Sequence, residues 1–507
     1  MKTALIRGPL VSPLGSLNNE PTPPIGLAYI ASALNEYGFE VQGIDATGLG
    51  LEEVVPIEGT TLQYNGISIE AIVSMIDKGT KVIGISCMFS HEWTFCKKLM
   101  SAIKAKHPEC LIIGGGEHCT ALPEYSLRDC PSLDYIGLGE GEETMVEFCT
   151  SIKTGQPEEE VKGIAFIKDG LYVKTADRER IRDIDNITPP DWEIFPIEPY
   201  LESRISFGPS MGKNMPALAT RGCPFQCTFC SNMLMWTNRY VMRNVDDVIE
   251  EIRHYVEKYD IDGIQFYDLT AIIKKDWTIE FCKALIKQGW GIQWSLPSGT
   301  RSEALDEETL YWMAEANCRY LVYAPESGSP ETLKAIKKKV SLPKMEASIK
   351  HAVKNGLSTR TNLIIGFPNE TRRQLLRTLF QQLKFTIMGV DEAPLYIFQP
   401  YPGTELFDEL LLTGQIHLED DYFESLANFS TGLLRPPPRS MSNHVGRFEL
   451  FTYRIVGMAL NYGISYMIRP KRIFTGIYDV FYSDRSRTVL EQRLKDKLRR
   501  RNQAKQA

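Results

Sequence analysis

Hydrophobic positions in the first 155 residues come as short runs separated by amphipathic stretches, and this alternation predicts strands and helices in turn. The run "TALIRG" (3–8) reads as a buried strand, and "PPIGLAYIASALNEYG" (23–38) as a helix opened by proline and closed by glycine. "EVQGID", "KVIGISCM", "CLIIGGG" and "DYIGLGEGEET" supply four more strands, with helical "SIEAIVSMIDKG", "WTFCKKLMSAIKAKH" and "ALPEYSLRD" between them. The pattern predicts an α/β fold whose first domain, residues 1–155, is a parallel, doubly wound, Rossmann-like sheet. Such sheets bind ligands at the carboxyl ends of their strands, where the loops here are small or glycine-rich.

Residues 156–205 break the rhythm: "GIAFIKDGLYVKT" is a hairpin turning at Asp169-Gly170, and "NITPPDWEIFPIEPY" reads as an extended, proline-rich linker. Alternation resumes over residues 206–430, with strands "PALAT", "GIQFYD", "IQWSLPS", "RYLVYAP", "STRTNLIIGFP" and "EAPLYIFQPYPGTE". About six strand–helix units predict a partial (β/α)6 barrel with its chemistry at the C-terminal strand ends. The last stretch, residues 431–507, is expected to be a small, mainly helical segment. It opens on the boundary "LRPPPRSMSNH" and runs through the apolar "VGRFELFTYRIVGMALNYGISYMI" and aromatic–basic "RPKRIFTGIYDVFY" to a strongly basic tail.

A chain of 507 residues with 43% hydrophobic and 24% charged positions accommodates these parts as two or three folded domains. A net charge of −7 without a basic stripe argues against a nucleic-acid partner. The start, "MKTALIRGPLVSPLGS", has no apolar run of signal-peptide length. The most membrane-like stretch, Ile455–Ile468, is about two-thirds of a spanning length and carries Asn461 and Ser465. A cytoplasmic location is therefore expected.

Of the eleven cysteines, Cys87, Cys96, Cys110, Cys119, Cys130, Cys149, Cys282 and Cys318 lie scattered and read as small core hydrophobes. Cys223, Cys227 and Cys230 cluster in "RGCPFQCTFCSNMLMW" (221–236), directly after the first barrel strand. Without a secretory start, disulfides are not expected. A structural zinc site wants four ligands, and the next candidates, His254 and Cys282, are distant in sequence. An iron–sulfur cluster held by three cysteines keeps one iron open to substrate. Spacing alone also admits an incidental surface group of thiols.

Cys-x3-Cys-x2-Cys with Phe229 before the last cysteine, on a loop after a barrel strand, resembles the signature of radical S-adenosylmethionine enzymes. "YAPESG" (323–328) and "NLIIGFPNET" (362–371) are similar to that family's later strands, and "FYDLTAI" (266–272) stands where relatives often carry Asp-Asp-Asn. Upstream, "PPIGLAYIASAL", "GISCMFS", "GGGEHCTALPE" and "DYIGLGEGEET" resemble the cobalamin-binding domain of one large branch, so the likeness spans about 430 residues. It implies a [4Fe-4S] cluster on Cys223, Cys227 and Cys230. S-adenosylmethionine would lie against Phe229, Asp268, Glu326, Ile365 and Gly366, Glu326 meeting its ribose or amino end. Without the family, Glu326 reads equally as a helix cap and Gly366 as a turn residue. Cobalamin would lie against Pro24, Gly26, Ser86, Met88, Gly115, Gly116, His118, Gly139, Glu140 and Gly141.

One departure matters. Cobalamin domains with a histidine ligand carry Asp-x-His-x-x-Gly after the first strand, whereas "RGPLVSPLGSLNNEP" has no histidine and "IDATGLG", around Asp45, supplies none either. Cobalt would then lack a histidine below it, and His118 would touch the corrin periphery or nucleotide tail. The resemblance implies C-methylation of an unactivated carbon of a small, hydrophobic or lipid-like substrate, through a 5′-deoxyadenosyl radical and methylcobalamin. Oxidative cyclisation or ring rearrangement with the same cofactors is the alternative, and a non-enzymatic cobalamin sensor a remote one. It also implies low-oxygen conditions and an external electron donor of flavodoxin or ferredoxin type. The aromatic–basic C-terminal segment is a candidate for peripheral membrane contact.

Overall fold

Five of the N-terminal apolar runs become parallel strands in a computed structural model that describes residues 1–16, 21–270, 273–427 and 436–503. They are β1 (Lys2–Arg7), β2 (Glu40–Asp45), β3 (Thr80–Ser86), β4 (Leu111–Gly115) and β5 (Tyr135–Gly137), laid side by side in the order 2-1-3-4-5. Ile6 stands opposite Ile44 on one side and Ile85 on the other. Both faces are covered: Ile6, Ile83, Ile85 and Ile112 enter one apolar core, and Leu5, Val82 and Ile113 enter another. Burial on both faces explains why these strands read as unbroken apolar runs. Helices α1 (Ile25–Glu36) and α2 (Glu142–Thr154) pack on one face. The strand order reverses between β1 and β3, and a crevice opens at the carboxyl ends there.

The hairpin assigned from sequence to a separate 156–205 stretch belongs to this sheet. Its strands β6 (Ile164–Lys168) and β7 (Leu171–Lys174) add an antiparallel edge beyond β5, turning at Asp169 and Gly170, which both have positive φ (51° and 77°). The proline-rich part that follows inserts Trp192, Phe195, Ile197 and Tyr200 into a core continuous with the second domain. A three-stranded antiparallel sheet of Leu10–Pro13, Leu62–Asn65 and Val54–Pro56 was not anticipated.

The second sheet holds six parallel strands in sequence order: β8 (Asn214–Ala217), β9 (Gly263–Phe266), β10 (Gln293–Thr300), β11 (Cys318–Glu326), β12 (Ser358–Ile365) and β13 (Leu395–Ile397). This is the partial barrel expected from the sequence. Its outward positions meet a helical layer that includes α3 (Arg372–Met388), whose start is fixed by a capping box between Thr371 and Gln374.

The C-terminal segment forms α4 (Arg447–Ile468), α5 (Lys471–Phe481) and α6 (Val489–Gln503). The opening residues of its boundary, Leu434 and Arg435, lie outside the described residues, as does the end of the tail beyond 503. Helix α4 lies along α3 and β13, where Asn461 accepts a hydrogen bond from the buried Thr386 hydroxyl. Helix α6 is fastened to the barrel by Glu392, whose carboxylate accepts the Val489 and Leu490 N–H groups at 3.0 Å each. Among the described residues no helix is long and apolar enough to cross a membrane.

Candidate functional site

The cysteine loop leaves the barrel just past β8 and is held at its stem. Asp268, at the end of β9, is 1% exposed and accepts the Ala219 N–H and the Thr220 hydroxyl. Burial raises its pKa to about 6, against the pull of those donors. Thr220–Arg221 then pairs antiparallel with Val241–Met242. Gly222 has φ +84°, and a side chain there would collide with the Arg239 carbonyl. Within the loop the Cys230 N–H reaches the Cys227 carbonyl at 3.1 Å, and the Asn232 amide clamps the carbonyls of Cys223 and Thr237 at 3.1 Å each. The loop therefore has a shape of its own that rests mainly on contacts other than the three thiols.

Cys223, Cys227 and Cys230 face a single cavity of about 700 Å3, walled also by Phe229 and Glu326 and by Met88, Phe89 and Glu117 from the first domain. Among the described residues no three His, Cys, Asp or Glu side chains are grouped to hold one metal ion. The thiols border a larger space, and three soft donors with no fourth suit an iron–sulfur cluster better than tetrahedral zinc. The Thr270 hydroxyl lies 3.5 Å from the Cys223 sulfur.

Strand alternation decides which barrel residues reach the cavity. Tyr320, Ala324 and Glu326 of β11 and Arg360, Asn362 and Ile364 of β12 point inward. Glu326 has φ +63° and forms an ion pair with Lys338 at 2.9 Å, both side chains being 9% exposed. Arg301 stacks on Phe225 and donates to the Lys339 carbonyl. Ile365 is a correction: one position past Ile364, it faces outward into a core with Leu375 and Leu450. Gly366 follows the same layer, since a Cβ there would lie 2.8 Å from the Leu450 side chain. Asp268 also lies outside the cavity wall, and it positions the strand end instead.

Of the positions expected to meet cobalamin, Met88 lies in the cavity wall. Ser86 and Gly115 end β3 and β4, and Gly116 (φ +107°) packs against the Cys87 carbonyl. Pro24 caps α1, and Gly26 has open space where a side chain would go. The Gly139 N–H is used by the Thr120 hydroxyl. Two expectations need correction, those at His118 and Glu140. His118 is 1% exposed, stacked on Trp93, with its ring nitrogens 3.0 and 3.3 Å from the Ser90 and Ser126 hydroxyls. Burial lowers its pKa to about 3, so it is a neutral core histidine and not a corrin contact. Glu140 is turned into the junction between the two domains, where it binds Arg180 at 3.0 Å and Arg221 at 3.1 Å. Gly141 makes room for Ile30, whose Cδ1 would be 2.6 Å from a Cβ.

Sequence reasoning missed Arg180, Arg221, Lys338, Arg301 and Glu117. Arg221 immediately precedes the Gly-Cys start of the loop, which is the one local signal available. The others become neighbours of the loop only through the fold. Glu117, for example, accepts a hydrogen bond from Ser231 at 2.8 Å.

Comparison with known proteins agrees with this geometry. Residues 18–149 match the family model of the B12 binding domain, and residues 218–381 that of the Radical SAM superfamily. An uncharacterised methyltransferase of Pyrococcus horikoshii is 29% identical over 418 residues, covering 82% of this chain and 85% of its own. The cytidylyl-2-hydroxyethylphosphonate methyltransferase of Streptomyces wedmorensis is 29% identical over 446 residues, 82% of each chain. The anaerobic magnesium-protoporphyrin IX monomethyl ester cyclase of Rubrivivax gelatinosus is 29% identical, over 82% of this chain and 70% of its own. Among solved structures, the radical S-adenosylmethionine methyltransferase TsrM from Kitasatospora setae, with cobalamin and a [4Fe-4S] cluster bound, superposes with a TM-score of 0.65. That likeness covers 99% of both chains at 13% identity and concerns the fold.

Proposed function

The chain is a radical S-adenosylmethionine protein with a B12-binding domain ahead of its barrel, and from that premise we propose that it C-methylates an unactivated carbon of a small molecule. One observation carries the reading: the three-cysteine loop and the carboxyl-end loop of β3 wall the same cavity. Bound there, the cluster and cobalamin would supply the electron that cleaves S-adenosylmethionine to a deoxyadenosyl radical and the methyl group delivered to the substrate. The chain's own part is positioning. Cys223, Cys227 and Cys230 hold the cluster, and Glu326, anchored by Lys338, offers a carboxylate to the ribose or amino group of S-adenosylmethionine. Phe229 lines the cavity beside the cysteines and packs on Phe367, with ring centroids 5.7 Å apart. A one-electron donor of flavodoxin or ferredoxin type completes the system.

The named relatives include methyltransferases and a cyclase, so the reaction type is decided by its by-products. A methyltransferase consumes S-adenosylmethionine by two routes, and we expect 5′-deoxyadenosine and S-adenosylhomocysteine in about equal amounts, with labelled methyl in the product. Deoxyadenosine formed in step with product, without S-adenosylhomocysteine, would establish cyclisation or rearrangement instead.

Peripheral membrane contact is a second part of the proposal, supported by α5. Ile473, Phe474, Ile477, Tyr478, Phe481 and Tyr482 fall at helical spacing on one face, and Phe474, Phe481 and Tyr482 are 74%, 64% and 77% exposed. Met467 and Ile468 at the end of α4 extend this apolar surface, and Lys471, Arg485 and Arg487 flank it. An apolar stripe beside cations suits the surface of an anionic bilayer. The protein should co-sediment with phosphatidylglycerol vesicles and not with phosphatidylcholine ones, and Phe474→Asp with Phe481→Asp should release it. Protein that stays in the supernatant, or a dimer that the same variant dissociates, rejects the membrane.

A further inference from the structure

One cation of the cavity wall, Arg301, rests directly on the cysteine loop. It stands one position past β10, whose end is fixed where the Thr300 hydroxyl donates to the Val322 carbonyl at 2.7 Å. The Arg301 guanidinium carbon lies 3.3 Å from the centroid of the Phe225 ring, and Phe225 is midway between Cys223 and Cys227. One terminal nitrogen donates to the Lys339 carbonyl at 3.0 Å. The side chain is thus held from two sides, and it borders the same cavity as all three cysteines.

Arg301 is 7% exposed, its second terminal nitrogen has no hydrogen-bond partner, and among the described residues no carboxylate forms an ion pair with it. Lys338 and Arg301 are the two cations whose charge acts on the Cys227 sulfur, and Glu326 acts against them. Lys338 and Glu326 are paired at 2.9 Å, so their effects at that sulfur largely cancel and Arg301 remains. Glu117 stands on the other side of the loop, where it accepts a hydrogen bond from Ser231 beside Cys230. A buried guanidinium with no carboxylate partner is costly to hold. Three thiolates carrying an iron–sulfur cluster would offset that cost.

We infer that Arg301 sets the reduction potential of the cluster, its guanidinium offsetting the negative charge that one-electron reduction adds to the three-thiolate site. The inference rests on the reading that Cys223, Cys227 and Cys230 hold a [4Fe-4S] cluster, and it gives Arg301 control over electron entry. The electron comes from the one-electron donor, the cluster core passes from the 2+ to the 1+ state, and no bond or proton moves. Net charge beside a cluster is one of the levers on its potential, and little water reaches a residue buried in this wall to screen it. Arginine suits the task because it stays charged at any working pH and its planar group stacks on an aromatic ring. Lys338 is less suited, since its ammonium is tied to Glu326.

Potentiometric titration of the full-length reconstituted protein, without S-adenosylmethionine and followed by electron paramagnetic resonance of the reduced cluster, tests this. Arg301→Gln is expected to make reduction by a fixed donor about tenfold less favourable, a fall of about 60 mV for one electron. Arg301→Lys should keep most of the parent potential. Phe225→Leu, which removes the ring and leaves the charge, should keep it as well. Iron content and circular dichroism on the same samples establish that each variant is loaded and folded. Arg301→His reads the charge within one protein, and carries the test if Arg301→Gln fails to load. Its cluster should be easier to reduce at about pH 5.5 than at about pH 8.5, after subtraction of the parent's own change. Potentials in loaded Arg301→Gln or Arg301→His that match the parent at every pH overturn the role. So does a shift in Phe225→Leu as large as that in Arg301→Gln, which would assign the potential to loop shape. A parent that takes up no iron rejects the cluster reading and this role together, whereas a loaded parent indifferent to Arg301 rejects this role alone.

Discussion

Replacing Cys223, Cys227 and Cys230 together by alanine will remove the brown chromophore and abolish S-adenosylmethionine cleavage, while the far-ultraviolet circular dichroism and melting temperature stay close to those of the parent protein loaded without iron. The parent, reconstituted without oxygen, should carry about four irons per chain. The variant keeps its fold because the main supports of the loop involve no sulfur. These are the Thr220–Arg221 pairing with Val241–Met242, the Asn232 clamp on two carbonyls, and Asp268 beneath the stem. Iron and visible absorbance quantify the result. Zinc without iron in the parent, or iron retained by the variant, would contradict the cluster assignment.

Glu140→Ala will lower stability by about 3–5 kcal/mol, the range found when one member of a buried ion-pair group is removed. Glu140 and Arg221 are 5% and 6% exposed, and Glu140 also holds Arg180 and the Ile181 N–H. Alanine leaves two guanidinium groups in the domain junction, with Arg221 keeping Glu142 at 2.6 Å and Arg180 keeping only main-chain carbonyls and a ring. Because the group is buried, added salt should not reduce the effect, unlike that of a surface pair. Urea denaturation gives the number. The Glu140→Met, Arg221→Met double variant should recover much of the loss, since an apolar pair removes the unpaired charge. A single-variant cost below about 1 kcal/mol would mean the junction is held by its apolar contacts.

The route from cysteine motif to cavity was legible for local reasons. The three thiols sit within eight residues, and the strand before them ends at the carboxyl edge of a parallel sheet by the same alternation that predicts the barrel. Glu326 could also be placed, because it ends an apolar strand and leads into a Ser-Gly turn. Errors gathered where a residue's role depends on a partner far along the chain. The glycine-rich loop around His118 suggests a ligand contact, yet Trp93, Ser90, Ser126 and Phe423 enclose its ring. Ile365 stands one position from the inward-facing Ile364, and in a strand one position is the difference between barrel interior and outer layer.

The sequence by itself determined the two parallel α/β units, their order, and the short motif on which the chemistry depends, because strand periodicity, helix ends and ligand spacing are properties of neighbours in the chain. The tertiary structure alone decided what the motif faces. It joined Glu140 to Arg221 across 81 residues. It anchored α6 to Glu392 across 97 residues, which brought the start of the strongly basic tail into the cavity wall. Such contacts leave no local trace, since either partner is an ordinary charged residue until packing excludes water around the pair.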